Sequence, residues 1–67
     1  MNESVGALLA KLRKDNHLTQ EALAQELLVS RETVSKWERG VCFPSPEMLL
    51  KLSNKYQISI NDMLTYE

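Results

Sequence analysis

Apolar residues fall at helical spacing along almost the whole chain. Val5, Leu8, Leu9 and Leu12 follow the i, i+3, i+4, i+7 rule, which predicts a first helix over Ser4–Asn16 with Lys11, Arg13 and Lys14 off the apolar stripe. Thr19 is a good N-cap. Behind it Leu23 and Leu27 lie one turn apart and predict a second helix, in which the small Ala24 permits close approach by a neighbour. Ser30 is a second N-cap and opens a third helix, Arg31–Arg39, closed by Gly40. The apolar residues of that helix are only Val34 and Trp37, so it buries a narrow stripe and shows a broad polar face. Ser45 followed by Pro46 starts a fourth helix, since proline is favoured in the first turn; Met48, Leu49, Leu52 and Tyr56 form its inner side. Ser59 caps a last helix carrying Ile60, Met63 and Leu64, and Ser59-x-x-Asp62 has capping-box spacing with aspartate in place of the usual glutamate. Strand signals are weak, because β-branched residues are scattered and nothing alternates. The predicted fold class is all-α, five short helices with tight connections.

Size and composition narrow the picture. A chain of 67 residues makes one domain at most, with a modest core and marginal stability. Cys42 is the single cysteine and His17 the single histidine, which excludes an intramolecular disulfide and a His/Cys zinc cluster; no metal and no cofactor is implied. Good helix packing, oligomerisation or both must supply the stability. With one histidine, one cysteine and no paired carboxylates, no catalytic site assembles, and an enzyme is not expected. No apolar run approaches the roughly 18–20 residues that cross a bilayer. The start, Met1-Asn2-Glu3-Ser4, lacks the basic segment of a secretion signal, so a soluble cytoplasmic protein without a membrane partner is expected. The formal charge of −1 argues mildly against a nucleic-acid partner. Distribution matters more than the sum: the stretch Ser30–Gly40 sets Arg31, Lys36 and Arg39 against Glu32 and Glu38, so any positive face is built locally.

A helix-turn-helix needs two helices joined by a turn of roughly three to four residues, a small residue in the first, and a second helix with one apolar docking face and one polar face for the groove. Thr19–Arg39 supplies each part. Ala24 is the small residue; Leu23, Leu27 and Val29 are anchors before and in the turn; Val34 and Trp37 anchor the following helix.

Several strings extend the pattern: Arg13; Leu18-Thr19-Gln20-Glu21-x-Leu23-Ala24; Val29-Ser30-Arg31-x-Thr33-Val34-Ser35-Lys36-Trp37-Glu38-Arg39-Gly40; then Pro44, the leucines of the fourth helix and Ile58-Ser59-Ile60. Together they resemble the phage repressor and Cro (XRE-type) family of helix-turn-helix regulators, over roughly Val5 to Leu64. The resemblance implies a single lambda-repressor-like domain over residues 1–67, with its motif at about 19–40 and the third helix in the major groove of double-stranded DNA. It implies base contacts from Arg31, Glu32 and Lys36: arginine and lysine suit guanine O6 and N7, and glutamate accepts from cytosine N4. It implies phosphate contacts from Gln20, whose amide and helix N-terminus would face one phosphate, and backbone contacts from Ser30, Thr33, Ser35 and Arg39. Arg13 and Glu38 look like the family's ion pair between the first and third helices. Its role is structural, since removing one partner of a truly buried pair costs about 3–5 kcal/mol.

Two departures stand out. Leu28 occupies a turn position commonly held by glycine, and a left-handed backbone there would cost a non-glycine residue roughly 1 kcal/mol. The loop Val41-Cys42-Phe43-Pro44 is apolar where many relatives carry polar residues that grip phosphate. Trp37 reads as core with its indole edge near the surface, Met48 and Met63 as core filler, His17 as a surface residue and Cys42 as a partly covered loop thiol. Leu8, Phe43 and Tyr66 are the apolar residues the pattern assigns least firmly to the core, which makes them candidates for a dimer interface. The function implied is a sequence-specific transcriptional regulator, typically a repressor, acting as a homodimer at least on DNA. The rival class is a protein-interaction module, antitoxin-like or partner-binding, which the near-neutral charge and the apolar loop fit.

Overall fold

The computed structural model describes the backbone from Asn2 to Tyr66 and side chains from Val5 to Tyr66. Five helices follow in order: α1 (Asn2–Asp15), α2 (Gln20–Leu27), α3 (Arg31–Glu38), α4 (Pro46–Tyr56) and α5 (Ile60–Leu64). Each of α2 to α5 starts at a residue the sequence marks. Thr19, Ser30, Ser45 and Ser59 all have extended backbone, and each side-chain oxygen accepts a hydrogen bond from the N–H three residues on. These caps satisfy one of the orphan donors at each helix start.

The helix ends are less orthodox. His17, Leu28, Gly40 and Gln57 all lie in the left-handed region. After each, the next N–H reaches back five residues, from Leu18 to the Arg13 carbonyl, Val29 to Ala24, Val41 to Lys36 and Ile58 to Ser53. This is the closing bond of a Schellman motif, which normally takes glycine. Only Gly40 has no Cβ to strain. Leu28 has φ 62° and is 85% exposed, so neither its backbone nor its side chain is favourably placed.

The core is a single cluster fed by all five helices, with Leu9, Leu23, Val34, Leu52 and Met63 the most completely enclosed. α3 packs on both α1 and α2, and α5 closes against α1 and α4. Gly6 sits where α1 meets the end of α3. A Cβ there would lie 2.4 Å from the Trp37 carbonyl oxygen and 2.8 Å from that of Glu38, so the two backbones touch only because the residue is glycine. Lys55 donates to Glu26 Oε1 and ties α4 to α2.

Several sequence expectations shift. α1 spans Asn2–Asp15 in place of Ser4–Asn16, and α3 ends at Glu38, with Arg39 as its C-cap. Leu8, a dimer-interface candidate, is only 4% exposed: it belongs to the α1 stripe, which the other helices cover. Leu64 is the reverse case, half exposed where the pattern put it inside, because a helix as short as α5 turns only one full face inward, and Met63 fills it. Cys42 is exposed outright. No helix among the described residues is long and apolar enough to cross a membrane.

Candidate nucleic-acid interface

α3 is amphipathic in an unequal way. Val34 and Trp37 face the core. At 3.6 residues per turn, Glu32, Ser35, Lys36 and Arg39 lie on the opposite side, with Arg31 flanking them at the first turn. Arg31, Glu32 and Arg39 are exposed, while Ser35 and Lys36 are half-buried. The fold therefore brings all the base-contact candidates onto one helix surface.

Their surroundings differ. Neither Arg31 nor Lys36 has a side-chain hydrogen bond or ion pair among the described residues. Glu32 Oε2 lies 3.7 Å from Arg39 Nη2, and Arg39 Nε donates to Ser35 Oγ at 3.1 Å, so these three side chains form a row along the exposed face. Both charges are more than half exposed, and such a pair contributes about 1 kcal/mol at most. The row is an arrangement that a stronger partner can break. Ser30 and Thr33 engage each other at the cap: Ser30 Oγ accepts from the Thr33 N–H at 3.1 Å, and the two hydroxyls share a 2.9 Å hydrogen bond.

Behind the polar face lies a network the sequence reading found only in part. Arg13 Nε donates to Glu38 Oε2 at 2.7 Å and Nη2 to Oε1 at 3.1 Å, a bidentate pair joining α1 to α3. Arg13 Nη1 also donates to the Leu18 carbonyl at 2.8 Å. Both side chains are largely covered, at 12% and 8% exposure. The Glu38 hydrogen bond holds the guanidinium pKa above its ordinary value. A third donor reaches the same carboxylate: Gln20 Nε2, at 2.9 Å from Oε1. Gln20 is the first residue of α2, so the network links the first three helices. No sequence signal pointed to that bond, because its partners are 18 positions apart and glutamine at a helix start carries no spacing rule.

Next to this network, the Tyr56 hydroxyl is buried without a hydrogen-bond partner among the described residues, and burial pushes its pKa up. An open groove lined by Glu26, Leu27, Lys51, Asn54 and Lys55 runs between α2 and α4. The loop after α3 exposes Val41 and Phe43.

The helix-turn-helix family model matches residues 9–63, most of the chain. The chain belongs to the helix-turn-helix family. It is 42% identical over 59 residues to the HTH-type transcriptional activator BcrR of Enterococcus faecalis, covering 88% of this chain but 29% of BcrR. Among solved structures, the clp gene regulator ClgR of Corynebacterium glutamicum superposes with a TM-score of 0.78 at 33% identity, covering 94% of this chain and 82% of that one. Bacillus thuringiensis PlcR, solved in complex with the peptide PapR7 and DNA, superposes with a TM-score of 0.82 at 31% identity, covering 96% of this chain and 22% of PlcR. The chain thus corresponds to less than a third of BcrR and of PlcR.

Proposed function

We propose that residues 1–67 form one sequence-specific DNA-binding domain of a cytoplasmic transcriptional regulator, its motif at about 19–40. The observation that carries this reading is α3, clamped to the core by Val34 and Trp37 with Arg31, Glu32, Lys36 and Arg39 turned outward. On this reading α3 enters the major groove. Arg31 and Lys36, unengaged among the described residues, donate to guanine acceptors, and Glu32 accepts from cytosine once Arg39 turns to the backbone. Gln20, Ser30, Thr33, Ser35 and Arg39 hold phosphates and fix the register. A footprint this small binds weakly alone. A homodimer on two half-sites, roughly 34–36 Å apart, gives the affinity regulation needs. Docking of this kind represses when the site overlaps a promoter, which is the mode proposed here, although BcrR carries the name of an activator.

The test is selection of bound sites from random duplexes, repeated with Arg31→Ala and Lys36→Ala. The expected result is one motif for the parent and relaxation of a different base position in each variant. No motif for the parent refutes the reading. The exposed Val41 and Phe43 favour a second reading, a protein-binding module. Salt separates the two: DNA affinity falls steeply between about 50 and 200 mM, whereas an apolar contact barely responds.

A further inference from the structure

Among the described residues, Gln20 is the phosphate-contact candidate whose side chain is bonded across the fold. Its Nε2 donates to Glu38 Oε1 at 2.9 Å, while the Ser30–Thr33 and Ser35–Arg39 bonds stay within three or four residues. A carboxylate only accepts, so only the nitrogen edge of the amide can face it. The flip open to an ordinary surface glutamine would set Gln20 Oε1 against a carboxylate oxygen, and Glu38 forbids it. Glu38 is itself fixed by both Arg13 bonds, at 2.7 and 3.1 Å, with its side chain 8% exposed. The Gln20 nitrogen carries a second N–H that the Glu38 bond does not use.

We infer that Glu38 is a positioning residue for phosphate capture: it holds the Gln20 amide with its nitrogen presented, so that the second Nε2–H donates to a DNA phosphate oxygen. This rests on the DNA-binding reading above. Arg13 completes the device. Its guanidinium offsets the Glu38 charge, so the group that orients the amide does not repel the phosphate. Glu38 acts through Gln20 and does not itself touch DNA.

The first measurement needs no variant. In the free chain, side-chain amide exchange by NMR should be slower at Gln20 Nε2 than at Gln25, whose exposed amide makes only a long 3.5 Å bond to Glu21. Equal rates overturn the inference. The second is a double-mutant cycle of affinity for a mixed-sequence duplex at low salt, in variants first shown to be folded at the assay temperature. Gln20→Ala should weaken binding roughly tenfold, the scale of one hydrogen bond to a charged group. Glu38→Leu, which neither accepts from Gln20 nor restricts its flip, should weaken it at least about twofold in the parent but not measurably in the Gln20→Ala background. A merely structural Glu38 gives the same loss in both backgrounds, and that additivity overturns the inference while leaving DNA binding in place. Failure of the parent to bind any duplex overturns both.

Discussion

Adding one methyl group at Gly6 should loosen the grip of α1 on the recognition helix. In an isolated helix, replacing glycine by alanine stabilises by up to about 1 kcal/mol. Here the sign should reverse. The new Cβ would stand 2.4 Å from the Trp37 carbonyl oxygen, 2.8 Å from the Glu38 carbonyl oxygen and 3.1 Å from the Glu38 carbonyl carbon. Carbon–oxygen contacts of this kind settle at about 3.3 Å, so α1 and α3 must part by about 0.9 Å. None of the three atoms is a flexible side-chain end that could swing away. Separation by roughly 0.5–1 Å forfeits a quarter to a half of each dispersion contact along the seam. Val5 and Leu9 on one helix, and Val34 and Trp37 on the other, are all buried members of the core cluster that seam belongs to. Overpacking of this kind costs about 1–3 kcal/mol, which leaves a net loss of up to about 2 kcal/mol after the helix-propensity gain. For a domain of this size that corresponds to a fall in melting temperature of up to roughly 15 °C. Thermal unfolding followed by circular dichroism measures it, with exposed Ala7→Gly as the control for propensity alone. A Gly6→Ala protein that melts at or above the parent temperature refutes the close-approach reasoning.

Arg13→Ala should destabilise by about 2–3 kcal/mol, between the exposed and fully buried limits, because it strands a largely covered carboxylate; equal melting temperatures for variant and parent would sink the claim. Leu28→Gly should raise stability by roughly 0.5 kcal/mol, since relief of left-handed strain outweighs the added chain entropy of glycine and an 85% exposed side chain gives up little burial. A lower denaturant midpoint at unchanged slope would contradict that balance. Tyr56→Phe should leave stability at neutral pH unchanged or raised by about 1 kcal/mol, because it deletes a buried hydroxyl without a partner. The same residue sets an alkaline limit. Its folded pKa lies above its unfolded value, so its contribution is constant below the ordinary tyrosine range and is lost as pH rises above about 10. A parent and a Phe variant with the same stability profile above that pH would contradict it.

What the sequence disclosed and what it hid divide along physical lines. The four caps were legible because a cap is a local device: Thr19, Ser30, Ser45 and Ser59 each bond a backbone three residues away. The apolar stripe of α1 was legible too, although the burial of Leu8 depends on α1 being covered by helices far along the chain. The left-handed end at Gln57 left no trace, since glutamine does not signal that conformation, and the enrichment of histidine there is too weak to mark His17 alone. Gly6 carried no sequence signal of its role, because its purpose is a contact with residues more than thirty positions away. In the candidate interface, the outward row on α3 followed from periodicity and the Arg13–Glu38 pair from a family resemblance. The Gln20–Glu38 bond followed from neither.

The division of labour within α3 has a consequence for how readily such a chain could be redirected. Val34, Trp37 and Glu38 fasten the helix, whereas Arg31, Glu32 and Lys36 make no bond to the core among the described residues. The outward set is therefore a cassette. Exchanging it should leave the fastening set intact and change the melting temperature little. If those positions read base edges, a single scaffold can be retargeted to new operators by changing a few side chains, with the limit on drift set by Glu38, the one α3 residue proposed to belong to both sets.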